Sequence, residues 1–263
     1  MRVTNGDAQI DVRIDGDDGE TIVLLHGFPL AKEIWNAQAE RLASAFRVVR
    51  LDLRGMGASS IPDGPYLMET LAGDVAAVLD AIGSESTSIA GHSAGGYVAL
   101  AFARMYTERV KRLALICSRL QADSPEQARA RFELADRADG EGRIDAVVST
   151  YVPRLTAPQT ASRQPEIVER LTAIAQRTSP HGAAAFLRGI ALRSASDDIA
   201  PELTMPVLAL FGEADAIVSL DEAHCIARAF PNAESAIAGH SGHVPMLEEP
   251  EYTSAALGEW MRR

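Results

Sequence analysis

Of the 263 residues, 47% are hydrophobic and 23% charged, an ordinary globular balance, and a chain this long buries roughly three-quarters of its unfolded surface without staples. The net charge of −11 excludes a nucleic-acid backbone or an anionic membrane surface as the expected partner, because both are bound through clustered cations. No long apolar run occurs and the N-terminal stretch is acidic, so the expectation is a soluble, cytoplasmic protein with neither signal peptide nor membrane span.

Ile10, Val12 and Ile14 alternate as residues on one face of a strand do, and TIVLLH (21–26) fits a strand buried on both faces. A helix is predicted over 33–45, where Ile34, Trp35, Ala39 and Leu42 recur at helical spacing. There follow a strand at 47–52, a helix at 68–82, a strand at 86–91, a helix at 93–106 rich in small residues, and a strand at 110–117. Such alternation predicts a parallel, doubly wound sheet. From Arg119 to Ser196 only helical segments are legible, divided by Pro153, Pro158, Pro165 and Pro180. Strand and helix then resume at 206–212, 219–230, 234–238 and 251–262. The expected organisation is one α/β core, residues 1–118 and 197–263, carrying a helical lid at 119–196 over the strand ends, where open α/β sheets bind ligands.

Several features read as structural. Cys117 and Cys225 are expected to be buried packing residues, and Asp15, Asp17, Asp18 and Glu20 a solvated turn. DLRGMG lacks the spacing of a phosphate-binding loop. No metal or organic cofactor is expected, the HxxH pair His240/His243 having neither a helix nor a further ligand.

The sharpest motif is GHSAGG (91–96), a G-x-S-x-G with Ser93 at its centre, a strand before it and a helix after it. Gly91 and Gly95 let neighbouring segments crowd a strained turn that exposes the serine hydroxyl. A hydroxyl is a weak nucleophile and needs a base, which in turn needs an orienting acid. The acid is expected just after a late strand, where PVLALFGEAD places Asp215, with Glu213 and the more distant Asp123 as rivals. The base is expected in the loop after the last strand, which holds His243 and, as rival, His240. His26 and His92 lie too early in the chain and are expected to bond nearby backbone, while His181 falls in the insertion and His224 in a helix. Backbone N–H groups of Phe28, in the HGFP turn, and Ala94 are the candidate oxyanion donors.

HGFP, DLRGMGASS (52–60), GHSAGG, GEADAIV (212–218) and GHVPMLEEP (242–250) together resemble the α/β-hydrolase superfamily over nearly the whole chain except 119–196. The resemblance implies the α/β-hydrolase fold, Ser93 as nucleophile, Asp215 as acid, His243 as base, and Phe28 and Ala94 as oxyanion donors. Serine at 93, rather than aspartate, turns the expectation away from dehalogenase and epoxide-hydrolase chemistry. HGFPL and SRLQADSPE (118–126) look most like small carboxylesterases and 3-oxoadipate enol-lactonase-like hydrolases, and HGFP is also similar to cofactor-free haloperoxidases, which act as perhydrolases. Ala94 departs from the methionine frequent after the nucleophile in those groups. The expected partner is a small-molecule ester or lactone. An apolar lid favours a neutral short-chain acyl group, and Arg119 is the nearest cation should the substrate carry a carboxylate. The contrasting class is a ligand receptor of the same fold.

Overall fold

Short apolar runs rich in valine, isoleucine and leucine form the sheet, because they are too short for helices and apolar on both faces. The computed structural model describes residues 1–263. Its strands are β1 (Arg2–Asn5), β2 (Ala8–Asp15), β3 (Thr21–Leu25), β4 (Arg47–Leu51), β5 (Thr87–His92), β6 (Val110–Ile116), β7 (Val207–Gly212) and β8 (Ala233–Ala238). They form one eight-stranded sheet in the order β1-β2-β4-β3-β5-β6-β7-β8. β2 runs antiparallel to both β1 and β4, and every other pairing is parallel.

The helices are α1 (Asn36–Leu42), α2 (Met68–Ala81), α3 (Ala94–Met105), α4 (Pro125–Glu141), α5 (Asp145–Tyr151), α6 (Thr160–Arg163), α7 (Pro165–Gln176), α8 (Pro180–Ala191), α9 (Leu220–Ala229), α10 (Pro245–Glu248) and α11 (Pro250–Met261). None is long and apolar enough to cross a membrane. Helices α4 to α8 fall between β6 and β7, in the stretch read from sequence as helical only.

Strand periodicity divides the core in two. Val23 and Leu25, Leu113 and Leu115, and Val207, Ala209 and Phe211 point to one side, into a core shared with α2, α3, α4, α8 and α9. Ile22 and Leu24, Ala114 and Ile116, and Leu208 and Leu210 point to the other, against α1, α7 and α11. Trp35 and Trp260 are fully buried on that second side.

Four details depart from the sequence expectation. β1 pairs residue for residue with β2 across a tight turn at Gly6, whose φ of +57 suits glycine, and four residues of mixed polarity carry too little periodicity to announce it. The helix expected over 33–45 opens as a 3₁₀ turn at Lys32–Trp35 and ends at Leu42. The acidic turn is only partly solvated: Asp15 accepts from the buried Arg50 at 2.6 Å, and Glu20 from Arg112 at 2.5 Å. Cys117 is buried as expected, whereas Cys225 is exposed, because α9 turns Ala223 and Ile226 inward instead.

Candidate active site

β5 ends at His92 and α3 begins at Ala94, leaving Ser93 alone in the turn with φ +50 and ψ −117. Positive φ in a residue with a Cβ costs on the order of 1–3 kcal/mol, so the surroundings must enforce it. They do so through the backbone. Ser93 N donates to Ile116 O at 2.8 Å, while its carbonyl accepts from Gly96 N and from Ser118 Oγ, each at 2.9 Å. The flanking glycines explain themselves by contact. A Cβ on Gly91 would lie 2.3 Å from Gly95 O, and one on Gly95 would lie 2.6 Å from His26 O. A Cβ on Gly27 would meet the Ser93 Cβ at 2.9 Å, so the HGFP turn lies hard against the serine.

Asp215 follows β7 in a turn in which its Oδ1 accepts from the amides of Ile217 at 2.7 Å and Val218 at 3.0 Å. Its Oδ2 accepts from Nδ1 of His243 at 2.8 Å, and both side chains are 1% exposed. A carboxylate only accepts, so His243 carries its proton on Nδ1 and keeps Nε2 as an acceptor. Burial alone would raise the Asp215 pKa. Electrostatic attraction to the His243 ring, its Nδ1–H hydrogen bond and the two amides outweigh it, and hold the carboxyl below its ordinary value.

The loop bearing His243 is clamped from several sides. His243 N donates to Leu155 O at 2.9 Å, and Nε2 of His92 donates to His243 O at 2.8 Å. Glu248, buried, accepts from Ser241 Oγ, Gly242 N, Ala157 N and Thr160 Oγ1 at 2.5–2.9 Å, tying the loop to the segment before α6. Burial, then the neighbouring His243, push the His92 pKa down to about 3, so this ring is neutral. His26, also buried, accepts from Leu53 N at 3.0 Å and contacts Gly27 O at 2.9 Å, the backbone role expected of it. The rivals go elsewhere: Glu213 and His240 are exposed, and Asp123 is buried among arginines.

Ser93, Ala94, Phe28 and His243 line a single small cleft with a cavity volume of about 50 Å³. As the first residue of α3, Ala94 has an amide with no intrahelical partner, at the positive end of the helix dipole. Leu155, Ile190 and Ile217 add apolar wall, and Phe28 is wedged between Phe186, stacked at 5.5 Å, and Tyr151, edge-on at 5.1 Å. The wall is less apolar than the sequence suggested, because Tyr97, Arg119, Arg131 and Tyr151 also line it. Of these only Arg119 was legible beforehand. Tyr97 had a usable signal, one helical turn after Ser93, whereas Arg131 and Tyr151 come from α4 and α5, whose packing is set at a distance.

Cys117 Sγ lies within 4.8 Å of the Asp215 and His243 donor atoms. That set suits a metal poorly: His243 Nδ1 and Asp215 Oδ2 are already bonded to each other, and burial holds the thiol well above its ordinary pKa. The arrangement offers instead a strained serine, an imidazole with a free acceptor nitrogen, a paired carboxylate and helix-start amides around one small space.

Residues 20–250 match the family model described as alpha/beta hydrolase fold. The chain is similar to a thermophilic esterase from Thermogutta terrifontis, solved with malate bound, at 35% identity and TM-score 0.96, covering 100% of this chain and 97% of that one. It is similar to the enol-lactonase from Burkholderia xenovorans LB400 at 25% identity and TM-score 0.92, covering 100% of both chains. By sequence, 3-oxoadipate enol-lactonase 2 of Acinetobacter baylyi is 25% identical over 233 residues, 88% of this chain and 84% of that protein.

Proposed function

The chain belongs to the alpha/beta hydrolase fold family, and from that premise we propose that it is a serine hydrolase cleaving carboxylic esters of small substrates through an acyl-enzyme. The observation that carries the reading is the strained Ser93 elbow opening into the same cleft as an imidazole whose Nδ1 is held by a buried carboxylate. In this reading Nε2 of His243 takes the proton of Ser93 as its Oγ attacks the ester carbonyl. The Phe28 and Ala94 amides stabilise the oxyanion, and His243 then returns the proton to the leaving alcohol. Water, deprotonated by the same nitrogen, attacks the acyl-enzyme and frees Ser93. Asp215 orients the ring and stabilises its cation, and the helices between β6 and β7 act as a lid that shapes the acyl pocket.

Lactone opening is the second reading, favoured by the similarity to enol-lactonases, and it uses the same steps with the leaving alcohol still tethered to the acyl group. The test is a serine-directed fluorophosphonate together with turnover of a short-chain aryl ester. One-to-one labelling at Ser93 is expected, with turnover lowered by roughly 10⁴-fold in Ser93→Ala. Labelling at Ser118 or Ser241, or near-normal turnover in the variant, overturns the assignment. Ligand binding with neither labelling nor turnover would favour a receptor instead.

A further inference from the structure

The wall of the cleft contains more positive than negative charge. Arg131, from α4, forms an ion pair with Asp123 and donates from Nη1 to the Tyr151 hydroxyl at 2.7 Å. Arg193, just beyond α8, brings Nη2 to 3.5 Å from the other oxygen of Asp123 and lays its guanidinium 3.9 Å from the centre of the Tyr97 ring. Asp123 is 1% and Arg193 3% exposed, so two guanidiniums share one buried carboxylate. Arg119 is spent elsewhere, on Ile217 O at 2.6 Å and on Glu222 at 3.3 Å.

A purely structural clamp within the segment between β6 and β7 needs only Arg131 and Asp123. The second arginine is costly, because a buried cation without its own counter-charge loses hydration that nothing returns. Nε and Nη2 of Arg193 lack hydrogen-bond partners, as does Nε of Arg119. Burial lowers the Arg193 pKa, as an under-compensated cation requires. Toward the cleft the same cluster presents donors. The Tyr151 oxygen already accepts from Arg131, which leaves its O–H to donate into the space that it, Tyr97 and Arg131 line beside Ser93.

We propose that this cleft holds a carboxylate subsite in which Arg131 and Tyr151, backed by Arg193 stacked on Tyr97, bind a second, distal carboxylate on the acyl group. The preferred substrates are then half-esters, or the corresponding lactones, of small dicarboxylic acids rather than neutral esters. The inference rests on the hydrolase reading: after the alcohol leaves, the acyl group stays on Ser93, inside the cleft that these side chains line. Nε and Nη2 of Arg131 are held by Asp123, so the second N–H of Nη1 and the Tyr151 hydroxyl are the donors left for the two oxygens of a carboxylate, and an enclosed wall strengthens the attraction.

The test compares the monomethyl esters of succinate, glutarate and adipate with the same esters whose distal carboxylate is replaced by a carboxamide, a pair matched in size and differing in charge. For at least one chain length, kcat/KM is expected to favour the carboxylate by about tenfold or more, the scale of one charge-assisted contact. Arg131→Gln and Tyr151→Phe should each lower that ratio several-fold. The phenylalanine keeps the ring that packs on Phe28, so it reads the hydroxyl even if the arginine variant folds poorly. Calorimetric binding of the same pairs to Ser93→Ala measures the subsite without turnover. A ratio near one at every length, in both turnover and binding, overturns the subsite while leaving a hydrolase. Absence of labelling and turnover overturns the hydrolase reading, and the calorimetric preference still decides the subsite.

Discussion

One buried ring, His92, supplies a separable part of the acid sensitivity of this protein. Its Nε2 donates to His243 O, its Nδ1 has no partner, and burial is the main reason its pKa falls to about 3 from the ordinary 6.5. As pH drops through 6.5 the unfolded chain takes up a proton that the native state refuses until about pH 3. The contribution is therefore complete above pH 6.5 and is lost at about 1.4 kcal/mol per pH unit as the pH falls toward 3. Between neutrality and about pH 5 that amounts to about 2 kcal/mol. His92→Gln carries an amide donor at the reach of Nε2 for the His243 carbonyl but cannot titrate. Urea unfolding of both proteins at neutral pH and at about pH 5 isolates the ring, since His26 and the carboxylates are common to both. Wild type is expected to lose about 2 kcal/mol more than the variant over this interval. Equal losses would refute the reasoning, because they would mean that the native ring binds its proton as readily as the unfolded one does.

His243→Ala should lower ester turnover about as far as Ser93→Ala, roughly 10⁴-fold, while the exposed His240→Ala keeps most of it, and steady-state kinetics on both histidine variants separates them. Asp215→Asn should be severe as well, since it leaves the Nδ1–H of His243 without its charged acceptor. Arg119→Ala should change kcat/KM for a neutral short-chain ester by less than about tenfold, about 1.4 kcal/mol, because its contacts go to Ile217 and Glu222. Gly95→Ala should destabilise by about 1–3 kcal/mol or more in thermal or urea unfolding, since the new Cβ would meet main-chain oxygens of Leu25 and His26 at 2.7 and 2.6 Å, atoms that cannot rotate away.

What the sequence by itself determined is what neighbouring residues decide among themselves. Short apolar runs specify β3 to β7, alternation with helical spacing specifies a parallel sheet, and GHSAGG specifies a strand–turn–helix because its glycines permit contacts that a Cβ would forbid. Candidate residues ordered along the chain were equally legible, since Asp215 and His243 each sit in a loop directly after a strand. Only the tertiary structure decided which acid meets which histidine, bringing Asp215 and His243 to 2.8 Å while leaving Glu213 and His240 in solvent. It also decided the character of the cleft. Arg131 and Tyr151 lie 20 residues apart in the chain, yet they line one wall with Tyr97, and Asp123 and Arg193, the latter from beyond α8, contact that wall without lining the cleft. No local period encodes that convergence, because helix against helix is set by many weak apolar contacts summed over α4 to α8, each too small to be read from the residues that make it.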